Sequence, residues 1–295
     1  MKKFLIILSA LICASFTGCG ETAQTSETSN SESVAMAEQT TDIPETEEES
    51  TEAETAEEPA EDEPVENVSV SANDTLHASI QHEIDSPEWV KNLPAAQDEN
   101  TKQLFVVGAM GMDKTTATVS MHNRDENGNW KQILSTPAFV GLNGMCLDED
   151  HAEGVSQTPI GTYHFNKAFG IADDPGCAIP YIKVDDDTYW SGDEREGMHY
   201  NEMVDIKDYP DLDMTNSEHI TDYEYQYQYC LNISFNEEGT AGRGSAIFLH
   251  CFGPLKPYSG GCVAIPENIM KLVMQNVDPD CVVVIDTFEN MNGEF

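Results

Sequence analysis

Between residues 102 and 288 the apolar side chains come in short runs, and turn-forming residues cut almost every run before it reaches helical length. Residues 104–108, Leu-Phe-Val-Val-Gly, have the make-up of a buried strand. Residues 115–122 are rich in β-branched side chains and alternate, with Ala117, Val119 and Met121 on one side. Residues 125–129, Asp-Glu-Asn-Gly-Asn, tolerate the positive φ of a tight turn and lead into a run from Trp130 to Leu134. That pattern predicts a hairpin. Further runs at 161–165, 181–184, 229–235, 246–250 and 282–286 read as strands. Tyr223, Tyr225, Tyr227 and Tyr229 recur at period two, which predicts one face of a strand. Only residues 267–276, opened by Pro266 and carrying Ile269, Leu272 and Val273 on one face, show the period of a helix. The predicted fold class is therefore β-rich α+β, a mixed β-sheet or sandwich with few helices.

The ends of the chain follow other rules. Lys2 and Lys3 precede an apolar stretch at 4–16, and small residues come just before Cys19. The stretch is short for a membrane span and resembles a bacterial lipoprotein signal peptide over 1–19, implying lipid on the Cys19 thiol and a place in the cell envelope, on the outer face of the cytoplasmic membrane. Residues 20–75 carry 18 Asp and Glu and no Lys or Arg. Such a segment buries too little apolar surface to offset its ordering entropy, and reads as a disordered acidic linker. Residues 76–101 (with Pro87, Trp89 and Pro94) form a lead-in to a domain at 102–288, and 289–295 a short tail. The net charge is −40, of which −24 falls on residues 76–295, so nucleic acid is not an expected partner. Asp185, Asp186 and Asp187 with Asp193 and Glu194 read as a solvated acidic loop, because their spacing is not that of a calcium loop. No metal or other cofactor is expected.

Eight cysteines are present, and six remain once Cys13 and Cys19 are set aside: Cys146, Cys177, Cys230, Cys251, Cys262 and Cys281. An exported chain with six cysteines permits three bridges, while a free nucleophile would leave an odd number. No Cys-x-x-Cys pair occurs, so a zinc ribbon does not fit. The informative pair is His250 and Cys262. An apolar run delivers the histidine, and Ser259-Gly260-Gly261 presents the cysteine just ahead of Val263. A thiol nucleophile and its base need this layout, and a glycine turn lets backbone amides face an oxyanion. The nearby helix start would lower the thiol pKa, and His250 would lower it further. A buried or disulfide-bonded cysteine beside a core histidine would produce the same local sequence, and local sequence leaves both readings open.

The segment His250…Ser259-x-Gly261-Cys262-Val263 resembles the catalytic signature of the YkuD-type L,D-transpeptidases. Gly141-Leu142-Asn143-Gly144, Thr158-Pro159-Ile160-Gly161, Ala168-Phe169-Gly170, Tyr181, Trp190 and Tyr200-Asn201 are similar to further motifs of that family, over roughly residues 102–288. The resemblance implies an L,D-transpeptidase-like fold and a cysteine acyltransferase acting on peptidoglycan stem peptides. Such an enzyme cuts a tetrapeptide, releases D-Ala and passes the acyl group to an amine in a 3→3 cross-link. It implies Cys262 as nucleophile, His250 as general base and acid, the Cys251 carbonyl as orienter of the imidazole, and the amides of Gly261 and Cys262 as oxyanion donors. Ser259, Gly260, Tyr200 and Asn201 are the implied substrate-binding residues, and Arg243, seven residues before His250, is a further candidate that reads equally well as a plain loop arginine. An L,D-carboxypeptidase using water as acceptor and a non-catalytic wall-binding lipoprotein are the alternatives, the latter marked by a disulfide that consumes the thiol. One position departs from the pattern: many members carry Arg where this chain has Ala264.

Overall fold

A computed structural model describes residues 83–254 and 256–294. The signal-like segment, its Cys19 and the acidic linker lie outside the described residues. Among the described residues there are fourteen strands: β1 (Ile84–Asp85), β2 (Gln103–Ala109), β3 (Thr116–Arg124), β4 (Trp130–Phe139), β5 (Met145–Leu147), β6 (Thr158–Gly170), β7 (Tyr181–Lys183), β8 (Thr188–Trp190), β9 (Met203–Asp205), β10 (Glu218–His219), β11 (Cys230–Ile233), β12 (Phe248–Cys251), β13 (Val263–Ile265) and β14 (Val282–Thr287). The α-helices are α1 (Glu88–Lys91), α2 (Pro94–Gln97) and α3 (Glu267–Asn276). The chain is β-rich with few helices, as its apolar pattern predicts.

Pairing runs β4–β13–β12–β11–β6–β14–β2–β3, and β3 pairs again with β4, so eight strands close into a ring. The two-residue period of the strands explains what fills it. In the β2–β3 ladder Phe105 faces Met121 and Val107 faces Val119. These side chains point inward with Leu231, Leu249, Val263, Ile265, Val283 and Ile285, and α3 adds Met270, Val273 and Met274 to the same core. Complete burial of each such side chain is worth about 1.5–3 kcal/mol. Closure is uneven. β3 and β4 pair along their whole length, whereas β13 meets β4 only where Ala264 stands opposite Phe139.

Two smaller clusters cover the outside of the ring. Val90, Leu93 and Ala96 of the lead-in pack on Leu104, Val106 and Val284, and the Trp130 indole donates to the Ala96 carbonyl at 3.1 Å. His122 is buried there between the hydroxyls of Ser86 and Ser120, each 2.8 Å away. On the other side, Phe169, Cys230, Phe248 and Cys262 are packed by Trp190, Ile220 and Tyr227, which come from the small β10–β8–β9 sheet and the turns after it.

Two expectations are corrected. The four alternating tyrosines do not lie on a strand: β11 starts at Cys230, and Tyr223–Tyr229 wind through tight turns. The Tyr227 N–H reaches the Tyr223 carbonyl at 2.9 Å, so those rings stack at 4.5 Å while Tyr225 faces solvent. The run at 246–250 likewise becomes a strand only from Phe248, because Ala246 has φ +56°.

Candidate active site

β12 alternates like its neighbours, so Leu249 and Cys251 enter the core while Phe248 and His250 face outward. β13 lies parallel to β12 with Ala264 opposite His250. Cys262, one residue ahead of β13, therefore falls beside Phe248, whose N–H approaches its Sγ at 3.3 Å. The Cys262 S–H donates to the Ala246 carbonyl at 3.0 Å. His250 and Cys262 line one cleft of about 370 Å³, shared with Ser259, Gly260, Tyr258 and Phe252.

The imidazole is fixed through Nδ1, which donates to the Cys251 carbonyl at 2.7 Å, and the Tyr227 ring meets it edge-on at 5.4 Å. Nδ1 is thus the protonated nitrogen, and Nε2 has no hydrogen-bond partner among the described residues. Burial lowers the His250 pKa to about 4, so the ring is neutral at neutral pH. Burial raises the Cys262 thiol above its usual range, and the nearby charge of Glu218 adds to this. The sequence expectation of a lowered thiol pKa is overturned: β13 and Pro266 intervene before α3, so no helix N-terminus faces the sulfur.

The turn carrying Cys262 is tied from three sides. Gly261 has φ +146°, and a Cβ there would come 3.0 Å from the Gln157 carbonyl oxygen. Thr158 Oγ1 donates to the Gly261 carbonyl at 2.6 Å and accepts from the Gly141 N–H at 2.9 Å. Ser259 Oγ donates to the Cys262 carbonyl at 2.5 Å and accepts from the Gly261 N–H at 3.1 Å. The Gly261 amide, expected as an oxyanion donor, is therefore engaged by Ser259 in this state. The Thr158-Pro159 and Gly141-Leu142 motifs meet at this turn, since Leu142 N–H and Ser259 N–H pair with the Ser259 and Val140 carbonyls.

Ser259 and Gly260 reach the cleft, but three other residues expected to bind substrate do not. Asn201 is buried, and its amide is saturated: Oδ1 accepts from Trp190 Nε1 and the Ala246 N–H, while Nδ2 donates to the Phe235 and Asn236 carbonyls. It sets the backbone of Ala246, whose carbonyl receives the thiol. Tyr200 is buried too, and its hydroxyl donates to Glu153 at 2.5 Å. Arg243 pairs with Asp148 and Glu238 and lies over the Phe235 ring. Its charge is spent outside the cleft. Glu153, Glu218 and Lys256 line the cleft and went unnoticed in the sequence, because they sit in loops and a two-residue strand that no apolar period marks.

The six cysteines from Cys146 onward are free thiols. Cys251 faces the core and Cys262 the cleft, on opposite faces of the sheet, so this pair is not set to bridge. Among the acidic residues at 185–194, Asp193 is buried and holds Arg195. Among the described residues no group of three or more His, Cys, Asp or Glu could hold a metal, and no helix is long and apolar enough to cross a membrane.

The family model for the L,D-transpeptidase catalytic domain, YkuD, matches residues 113–285. No curated protein matches the chain. Solved structures that it resembles include the helical cell shape determining protein Pgp2 from Campylobacter jejuni, at 13% identity over 68% of this chain and 54% of that one, with a TM-score of 0.33. A fused Zn-dependent amidase/peptidase/peptidoglycan-binding domain-containing protein from Clostridium acetobutylicum is 13% identical over 73% of this chain and 63% of its own, with a TM-score of 0.32. The Ldtfm–avibactam carbamoyl enzyme is 13% identical over 64% of this chain and 49% of its own, with a TM-score of 0.29. The chain spans about half the length of the Pgp2 and Ldtfm structures and under two thirds of the clostridial one.

Proposed function

Because the chain belongs to the YkuD family of L,D-transpeptidase catalytic domains, we propose that it remodels peptidoglycan as a cysteine acyltransferase, with Cys262 as nucleophile and His250 as general base and acid. The observation that carries this reading is the pairing of a buried thiol with a neutral imidazole in one cleft, the imidazole being held through Nδ1 by the Cys251 carbonyl. A base with a free Nε2 is what a protonated thiol requires.

Nε2 takes the thiol proton as Sγ attacks the carbonyl ahead of the terminal D-Ala of a stem tetrapeptide. The oxyanion faces the Cys262 amide, and the Gly261 amide joins it when the Ser259 hydroxyl turns away. Protonated His250 then gives its proton to the departing D-Ala amine. A thioester remains on Cys262, and an amine from a second stem displaces the sulfur to form a 3→3 cross-link. With water as acceptor the same thioester would yield an L,D-carboxypeptidase product. Among the described residues the cleft carries one Lys or Arg side chain, Lys256, which suits the carboxylate of the donor peptide. Asn201, Tyr200 and Thr158 are positioning residues in this scheme.

The test is incubation with a muropeptide tetrapeptide, read by mass spectrometry for free D-Ala and cross-linked dimer. Wild-type protein should form both, and Cys262→Ala neither. D-Ala release that survives Cys262→Ala would end the assignment. The wider layout belongs to the same proposal: a signal at 1–19, lipid on Cys19, an acidic linker at 20–75 and a catalytic domain at 102–288 on the outer face of the cytoplasmic membrane. Finding the mature protein without a lipidated N-terminal Cys19 would remove the anchor from it.

A further inference from the structure

An acyl-thioester is attacked by a neutral amine, yet a primary amine reaches the cleft at neutral pH as an ammonium ion. On the way to an amide it must lose two protons. His250 accounts for one, since Nε2 can take it as the C–N bond forms and return it to sulfur as the C–S bond breaks. The Cys262–His250 pair has no place for the other.

Glu218, the first residue of β10, lines the same cleft. Its carboxylate accepts the Tyr227 hydroxyl at 2.6 Å, and that tyrosine is the ring set edge-on to His250. Glu218 also lies near enough to the Cys262 sulfur for its charge to oppose thiolate formation. No Lys or Arg pairs with it among the described residues. The charged or titratable groups that face it are Tyr223 and Tyr227 from the turns after β10, Cys230 of β11, Cys262 ahead of β13, and Glu153 from the loop before β6. Glu153 is itself held by the hydroxyls of Tyr200 and Ser245. Two fixed carboxylates thus share a cleft in which the one Lys or Arg among the described lining residues, Lys256, is exposed.

Resting on the acyl-transfer reading, we propose that Glu218 receives the acceptor's primary ammonium group and takes its first proton, so that it decides between transfer to an amine and hydrolysis by water. The ammonium gives one proton to the Glu218 carboxylate, and the neutral nitrogen attacks the thioester carbon. Its second proton passes to His250 Nε2 and on to the departing sulfur, while Glu218 later loses its proton to water. Water as acceptor needs only the His250 step. Enclosure pushes the Glu218 carboxyl up to about 7, against the pull of the Tyr227 hydrogen bond. The share of transfer should therefore rise as pH passes through that value. Tyr223 and Tyr227, both raised by burial, stay neutral over this range, as does His250.

The experiment gives the full chain a tetrapeptide donor with either a stem peptide amine or O-methylhydroxylamine, whose nitrogen is already neutral at pH 7. Mass spectrometry reads the ratio of amine-transfer product to hydrolysed tripeptide. Glu218→Gln should lower that ratio about 10²-fold with the ammonium acceptor, in line with the loss of a general base, and O-methylhydroxylamine should restore it. A ratio equal to wild type with the ammonium acceptor, or an equal fall with both acceptors, overturns the proposal. Tyr227→Phe loosens the carboxylate without removing it and should shift the ratio in the same direction by less, which decides the matter if Glu218→Gln does not fold. D-Ala release by wild type is read in the same reactions. Release with no amine product overturns the role of Glu218 and leaves the cysteine reading standing, whereas no release overturns both.

Discussion

At the scale of single residues, the candidate site combines a thiol that holds its proton with an imidazole that lacks one. Cys262 is buried, donates to the Ala246 carbonyl and sits near Glu218, all of which favour the thiol over the thiolate. His250 is neutral because burial lowers its pKa to about 4. In the proposed reaction the proton must therefore move during attack rather than before it. Iodoacetamide should alkylate resting Cys262 slowly at pH 7, with a rate that climbs about tenfold per pH unit from 7 to 9 and shows no plateau in that range. A plateau below pH 8 would mean a preformed thiolate. Asn201 shows how a residue can shape the site without lining the cleft. Its one amide bonds Trp190, Phe235, Asn236 and Ala246, and so sets the carbonyl against which the thiol rests.

At the scale of elements, the turn that carries Cys262 depends on the first residue of β6. Thr158 Oγ1 joins Gly141 to Gly261 across the turn, and valine has the same shape without the hydroxyl. Thr158→Val should leave two buried backbone groups unpaired, at about 1–3 kcal/mol each. Urea unfolding should show that loss, and kcat should fall more than KM rises. A variant with wild-type stability would mean that the turn is held otherwise. Much of this was legible in the sequence, and the gaps have physical causes. β2, β3, β12, β14 and α3 announce themselves because each buries one face or two, which imposes a period. β8, β9 and β10 are two or three residues long and partly exposed, so they impose none. The tyrosines at 223–229 mimic a strand because stacking at i and i+4 in a turn also selects alternate positions. His250 and Cys262 stood out by residue type and glycine context. Glu153 and Glu218 did not, since an acidic side chain in an acidic chain carries no local signal until the fold brings it to the cleft.

At the scale of the whole molecule, the lead-in is joined to the ring by His122. Its ring lies buried between Ser86, just before α1, and Ser120 of β3, and burial lowers its pKa to about 4 from an ordinary 6.5. The unfolded chain takes up a proton below pH 6.5 that the folded one refuses until about 4, so this histidine contributes a loss of stability as pH falls through that window. The loss is about 3 kcal/mol when complete. His250 acts in the same direction. Glu218 acts oppositely, since its raised pKa adds stability as pH drops from about 7 toward 4.5. The clean measurement is a comparison of unfolding free energy between wild type and His122→Asn from pH 7 to pH 4. The two curves should converge by about 3 kcal/mol toward acid, and parallel curves would show that His122 is not held neutral.

The ring of strands has a seam, and the seam is where the turn carrying Cys262 lies. β4 is zipped to β3 along its length but reaches β13 through the Phe139–Ala264 pair, with Gly141 and Ser259 bridging just beyond. A closed sheet is ordinarily stiff, but stiffness is shared unevenly when one joint is a single rung wide. Opening this joint by a fraction of an ångström would leave the β2–β3 ladder undisturbed and would move Cys262 relative to Leu142 on the other lip. A long peptide lying across both lips would act as a splint, so that occupancy of the cleft and rigidity of the ring rise together.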